Sequence, residues 1–368
     1  MIIGTVKEIK RHENRVGLVP AVVHDLVVAG HTVLVERSAG VGSGIGDDEY
    51  AAAGAEICDG PKPVWSRAEM MVKVKEPQPS EWDLVRAGQI VFTYFHFAAS
   101  LPLTEAMMRA CPVCVAYETV EDARGRLPLL TPMSEVAGRM AVQEGAKYLE
   151  RPMQGRGILL GGVPGVRPAS VCILGGGVVG SNAAKIAAGI GAEVTILDVD
   201  LDRLRWLDDI MPANVVEVFS NPYTIKAAVL RADLVIGSVL VPGAKAPVLV
   251  PKAWLADMQP GAVVIDVAVD QGGCIETCRP TTHDDPVYVV DGIVHYCVAN
   301  MPGAVGRTST WALSNATGLW VKRLADHGLA DCARRWPGFA KGVQMSGGQV
   351  HHAGVAGAFG FPCVAWKP

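Results

Sequence analysis

The sequence predicts an α/β protein built from two doubly wound domains with a cleft between them, joined by long helices. Three observations carry this. The chain has 368 residues, more than the roughly 250–300 at which a single hydrophobic core stops growing. Short runs rich in Val, Ile and Leu alternate with helical runs in two separate series, the pattern of βαβ units. A glycine-rich turn, Gly175-Gly176-Gly177, joins a strand-like run to a helical run at the head of the second series. With 50% apolar and 19% charged residues, the chain can bury enough surface to offset the entropy lost in folding.

Taken in order, IIGTV reads as a strand, residues 21–29 as a helix, and HTVLVER as the next strand. MVKVK, IVFTYF and VAYETV are short β-rich runs expected in the same parallel sheet, with their C-terminal ends on one cleft. After Pro132, apolar residues recur at helical spacing for more than four turns, and Ser134 is expected to cap that helix. A glycine-rich link, QGRGILLGGVPGV, leads to the second series, which starts at Ser170: ASVCILGGG, VVGSNAAKIAAGIG, AEVTILDVD, ADLVIGSVL and AVVIDVAVD. After Arg307 a second long helix is expected to cross back onto the first domain. The expected division is residues 1–130 as the first part of a substrate domain, 131–306 as a nucleotide domain, and 307–368 as the returning part of the first. The two long helices, near 134–150 and 307–326, are expected to act as a hinge.

Composition excludes several classes of partner. Lysines and arginines number 33 against 37 acids, and they are dispersed, so the basic footprint of a nucleic-acid binder is missing. Charges arrive by the seventh residue, leaving no apolar core for a signal peptide. The uncharged stretch from Met345 to Trp366 is too interrupted by Gly, His and Pro for a membrane span and reads as a loop and terminal packing segment. The expectation is a cytoplasmic protein with small-molecule substrates and no membrane. Nine scattered cysteines do not form a secreted disulfide framework. Cys111-Pro-Val-Cys114 matches C-x-x-C but runs into a strand rather than a helix start, so reduced thiols and no metal are expected.

Gly175-x-Gly177-x-x-Gly180 follows the apolar VCIL and opens a helical run, and Asp198 ends the next strand eighteen residues past the third glycine. This context marks a Rossmann-like dinucleotide fold. The first glycine permits the tight turn, the second lets the backbone approach a pyrophosphate, and the third lets helix pack on strand. Asp198 is expected to accept hydrogen bonds from the adenosine ribose and to repel the extra phosphate of NADP, which favours NAD; Arg203 nearby weighs against that preference.

KEIKRHENRVGLVP, VKVKEP, FTYFHFA, PLLTPMSEVAGRMA, GSVLVPGAKAP, VIDVAVDQGG and VANMPGAVGRTST resemble the L-alanine dehydrogenase family, in order, over roughly residues 1–345. Several of these blocks also resemble the NAD-binding subunit of proton-translocating transhydrogenase. The resemblance implies reversible oxidative deamination of L-alanine to pyruvate and ammonia with NAD, and a homohexamer. Two other readings stand beside it: a transhydrogenase-like coupling module that binds NAD, and a related dehydrogenase with another amino-acid substrate.

Such chemistry needs a cationic clamp for a carboxylate and a group that shuttles protons. Arg15 follows the first strand, and a guanidinium grips carboxylates in bidentate fashion. Lys75 ends MVKVK just before Glu76-Pro77, where the proline stops the strand. His96 follows VFTYF at another strand end, and histidine exchanges protons near neutrality. Asp270 falls at a strand end of the nucleotide domain, before Gly272-Gly273. By the resemblance, Arg15 and Lys75 bind substrate, His96 is the acid/base, and Asp270 assists proton transfer and water activation. It further implies a substrate pocket shaped by Tyr94, Met133 and Asn300. Cofactor contacts are implied from Ser134, Val178, Ser220, Val239, Leu240, Val267, Asp270 and Met301, beside Gly175, Gly177, Gly180, Asp198 and Arg203.

Overall fold

A computed structural model describes residues 1–239, 246–269 and 272–367. Its internal contacts divide the chain into two units, Met1–Met133 with Gly303–Pro368, and Ser134–Pro302.

The first unit opens with β1 (Ile2–Thr5), α1 (Pro20–Val28), β2 (Thr32–Glu36), α2 (Asp47–Ala52), β3 (Glu56–Cys58), α3 (Pro61–Arg67) and β4 (Met70–Val72). It continues with β5 (Ile90–Thr93), α4 (Leu101–Ala110) and β6 (Val113–Ala116), after which α5 (Thr131–Tyr148) runs into the second unit. There follow β7 (Ser170–Leu174), α6 (Val178–Ile190), β8 (Glu193–Asp198), α7 (Leu201–Ile210), β9 (Val215–Phe219) and α8 (Pro222–Arg231). That unit closes with β10 (Leu234–Gly237), β11 (Val263–Asp266), β12 (Val287–Val290) and β13 (Ile293–Tyr296). The chain returns through α9 (Gly306–Arg335), α10 (Pro337–Ala340), β14 (Val343–Ser346), β15 (Gln349–Val350) and α11 (Ala353–Phe359).

The first sheet has the order β15-β14-β6-β5-β4-β1-β2-β3, and the second β12-β13-β11-β10-β7-β8-β9. Strands β1 to β6 pair in parallel, as do β7 to β11 with β13. Central strands β4, β5, β10 and β11 are buried at every residue, which explains their unbroken apolar runs. In each sheet the chain steps outward in one direction and then resumes on the other side of its first strand, between β1 and β4 and between β7 and β10. Connections leave in opposite directions at such a point, so a crevice opens beyond the C-terminal ends of those two strands.

Several expectations need correction. The first sheet is not wholly parallel: β14 runs antiparallel to β6, and β15 antiparallel to β14. The segment from Met345 to Trp366, expected as loop, supplies the end of that hairpin and α11. Its glycines, Gly347 and Gly348, are the hairpin turn, and strands this short show no periodicity. Ser134 is not a cap, because α5 already begins at Thr131, with Pro132 tolerated in the first turn where no N–H partner is needed. The MVKVK strand stops at Val72, so Lys75 lies three residues beyond it. The long returning helix extends to Arg335, with a break at Gly328, where φ is 75° and ψ 169°. Strand β9 and the β12–β13 hairpin were not anticipated.

Candidate active site

In the first unit the residues singled out in the sequence lie at the C-terminal edge of the sheet. Arg15 follows β1, Lys75 follows β4, and Tyr94 and His96 follow β5. Arg15 is not a solvated turn residue; it is 2% exposed. Its Nε donates to Glu13 Oε1 at 2.6 Å, its Nη2 donates to Glu13 Oε2, and its Nη1 donates to Met133 Sδ at 3.0 Å. Burial would push the Glu13 carboxyl up, but Arg15 overcomes this and holds it below the ordinary carboxylate range. One side of the guanidinium fork is thus committed to Glu13, and the Nη1 side turns towards Met133.

Lys75 is held by its backbone. Glu8 Oε1 accepts from the Val74 N–H at 2.6 Å and the Lys75 N–H at 3.1 Å. Glu8 is anchored in turn by the buried Lys73, whose Nζ reaches Glu8 Oε2 at 3.1 Å and Glu81 Oε1 at 3.0 Å. Lys73 is 0% exposed, and both carboxylates are buried with it. Burial raises the Glu8 carboxyl, with Lys73 pulling it the other way. The Lys75 ammonium is shifted down from the ordinary lysine value, first by burial and then by Arg15 and Lys10. An added anion would relieve this crowding of positive charge.

Tyr94 is buried and donates its hydroxyl to the Leu129 carbonyl at 2.5 Å, and burial pushes its phenol up. Its ring stacks on that of His96, with centroids 5.9 Å apart and planes 3° from parallel. His96 has a left-handed backbone, φ 49° and ψ 41°. For a non-glycine residue this costs about 1–3 kcal/mol and persists only where neighbours enforce it. Here Glu118, just after β6, enforces it: Oε1 accepts from the His96 N–H at 2.7 Å and the Phe95 N–H at 3.2 Å.

The second unit offers backbone where the first offers charge. Gly175 has φ 97°, outside the range an ordinary side chain favours, and a Cβ on Gly180 would lie 1.9 Å from the Gly175 carbonyl oxygen. Among the described residues, a Cβ on Gly177 would meet nothing within 4 Å. Gly177 precedes α6 without any side-chain cap on the amides of the first turn. Asp198 ends β8, where Oδ2 accepts from the Gly176 N–H at 2.6 Å and Oδ1 from the Asp200 N–H at 2.9 Å. Arg203 donates to the Gly176 and Gly177 carbonyls and lies 4.1 Å from the Trp206 ring centroid.

Further C-terminal strand ends carry Ser220 after β9, Val239 after β10 and Val267 after β11. The Ser220 N–H donates to the Asp198 carbonyl at 2.8 Å, and the Val267 N–H to the Gly237 carbonyl at 2.9 Å. Beyond β13, Asn300 is left-handed, with φ 67°, and Met301 is buried. Val178 is the first residue of α6, and Ser134 lies in the first turns of α5. Leu240 and Asp270 lie outside the described residues. A glycine turn, an uncapped helix start and an acid at the neighbouring strand end together fit a dinucleotide's pyrophosphate and ribose.

The family model for the alanine dehydrogenase/PNT N-terminal domain matches residues 4–137, and that for the C-terminal domain matches residues 141–353. The chain belongs to the alanine dehydrogenase/PNT family. Alanine dehydrogenase of Methanococcus maripaludis is 53% identical over 98% of this chain and 97% of its own length. That of Bacillus subtilis is 52% identical, over 99% and 96% respectively, and that of Mycobacterium tuberculosis 49%, over 98% of each. A solved L-alanine dehydrogenase superposes with a TM-score of 0.94 at 52% identity, covering 98% of this chain and 99% of that one. The transhydrogenase from Sinorhizobium meliloti, with a TM-score of 0.82 at 24% identity, covers 95% of this chain and 100% of that one and shares the fold.

For this alanine dehydrogenase/PNT family member, sequence reasoning missed Glu8, Glu13, Lys73 and Glu118, the charged residues that hold the others in place. For Glu8, Lys73 and Glu118, close to the ends of β1, β4 and β6, a signal was present: an acid or lysine beside an apolar strand run is expensive to bury without a partner. Which charge pairs with which is a tertiary fact.

Proposed function

We propose that the protein catalyses the reversible, NAD-dependent oxidative deamination of L-alanine to pyruvate and ammonia. The observation that carries this reading is the 49–53% identity, over nearly the whole chain, to proteins named alanine dehydrogenase. In this reading residues 1–130 and 307–368 form the substrate domain and residues 131–306 the NAD domain.

Arg15 and Lys75 supply the positive charge that binds the substrate carboxylate and, in the reverse direction, the keto oxygen of pyruvate. The two cations crowd one another, so an anionic substrate is drawn to them. Tyr94, Met133 and Asn300 bound the pocket. His96, held over Tyr94, takes a proton from the substrate ammonium and releases it to solvent, then takes the proton of the water that adds to the imine carbon and returns it to the nitrogen as the carbinolamine collapses to pyruvate and ammonia, with Asp270 assisting. When bound, the nicotinamide accepts the α-hydrogen as hydride.

Gly175, Gly177 and Gly180, with the amides at Val178, receive the pyrophosphate, and Asp198 receives the ribose. Ser134, Ser220, Val239, Leu240, Val267, Asp270 and Met301 complete the contacts. Arg203 is already committed to the glycine-turn carbonyls and to Trp206, and this supports NAD over NADP. Among the described residues no helix is long and apolar enough to cross a membrane. A cytoplasmic homohexamer completes the reading, and light scattering on a sizing column tests the assembly.

The deciding assay follows NADH absorbance with NAD and L-alanine, and with NADH, pyruvate and ammonium in reverse. Turnover both ways is expected. Nucleotide binding without turnover on any amino acid would replace this reading with the coupling module.

A further inference from the structure

We propose that Glu118 is the positioning residue for His96: it holds the imidazole in register for proton transfer by gripping the backbone beneath it. The inference rests on the reading above only for what the imidazole does. The grip is read from the fold.

Five observations converge on it. His96 is left-handed, and Phe95 and Phe97 on either side of it are both buried, their rings stacked with centroids 4.5 Å apart. A reversal at residue 96 sends both neighbours into one apolar cluster and leaves the histidine ring on the other side, 38% exposed. A side-chain-bearing residue does not hold that conformation unaided. Glu118 comes from the adjacent strand end and is itself only 13% exposed, so its carboxylate is fixed. A single oxygen, Oε1, accepts both the His96 amide at 2.7 Å and the Phe95 amide at 3.2 Å, while Oε2 lies 3.3 Å from the Phe95 amide. The imidazole Nδ1 stands 4.0 Å from Oε1, beyond direct hydrogen bonding though within ion-pairing reach of a protonated ring, so the short contacts the carboxylate makes are those to the backbone amides.

This geometry separates the acceptor from its charge. Glu118→Gln keeps a carbonyl oxygen at the same reach and loses the charge. Glu118→Asp keeps the charge and retracts the acceptor by one carbon. Glu118→Ala removes both.

The test measures kcat, KM for L-alanine and NADH affinity for the three variants, with amide hydrogen exchange over residues 94–97. Glu118→Gln is expected within about threefold of the parent kcat. Glu118→Asp and Glu118→Ala should lose about tenfold or more in kcat, since misplacing a reacting group by an ångström can cost that much. KM and NADH affinity should move less than about threefold, and amide protection at 95 and 96 should persist only in the Gln variant. A merely structural role would lower the yield of folded protein without splitting kcat from KM. The proposal is overturned if Glu118→Asp matches or exceeds Glu118→Gln in kcat, or if protection is equal in the two. Should Glu118→Ala not fold, the Gln and Asp pair decides. Should the parent not turn over L-alanine, the functional reading fails, and hydrogen exchange alone still decides the grip.

Discussion

The six parallel strands of each sheet share an order, and the two sheets differ in what they place at the crevice. Beyond β1 and β4 the chain sets Glu8, Glu13, Arg15, Lys73 and Lys75, a set of buried or half-buried charges. Beyond β7 and β10 it sets glycine backbone, an uncapped helix start and Ser238, whose hydroxyl donates to the Leu174 and Gly175 carbonyls at 2.8 and 2.9 Å. Topology thus makes the crevice, and composition decides what enters it. Fixed side-chain charge suits a small anion; bare amides and room for backbone approach suit a long phosphate-bearing ligand.

This contrast can be broken one unit at a time. The largest effect is expected from His96→Ala: a fall of about 10³-fold in kcat, in line with the loss of a general acid/base, with NADH affinity unchanged by fluorescence titration. A turnover within tenfold of the parent would remove His96 from the chemistry.

Lys75→Met is expected to cost about 10²-fold in kcat/KM for pyruvate while stabilising the fold. The sign follows from titration. The Lys75 ammonium is shifted down in the folded chain, chiefly by burial, so between that lowered value and the unfolded value near about 10.4 the unfolded chain binds more protons. Stability therefore rises with pH through that window, and below it the ammonium, charged in both states, destabilises the fold. Removing it should raise Tm by about 2 °C at pH 7, by calorimetry. A lower Tm would show that Lys75 is compensated.

In the other unit, Gly180→Ala drives a methyl against the Gly175 carbonyl and should weaken NADH binding by about 30-fold, an overpacking cost near 2 kcal/mol. Asp198→Ala should weaken NAD binding by about tenfold and narrow the preference over NADP, measured as the ratio of kcat/KM values. An unchanged ratio would move cofactor discrimination away from Asp198.

The grip of Glu118 on His96 shows why parts of the site were illegible. The runs FTYFHFA and VAYETV mark two strand ends, but nothing in either says that they lie side by side, or that the acid of one bonds the amides of the other. The same holds for Lys73, one alternation from Lys75 in MVKVK. One lysine is sealed between two glutamates and the other keeps a shifted ammonium, and the sequence distinguishes them only by position.

By itself, the sequence determined the βα alternation, the two series, the glycine turn with its acid, and the strand-end position of Asp198. These are local facts, set by periodicity, by proline and by the steric freedom of glycine. Tertiary structure alone decided that Arg15 is buried against Glu13, that Glu8 clamps the backbone of Lys75, that the chain's last strands join the first sheet antiparallel, and that His96 is left-handed. Each of these depends on burial, and all but the Arg15–Glu13 pair on partners far along the chain, where the cost of an unpaired charge or a strained residue is offset only by a contact that folding creates.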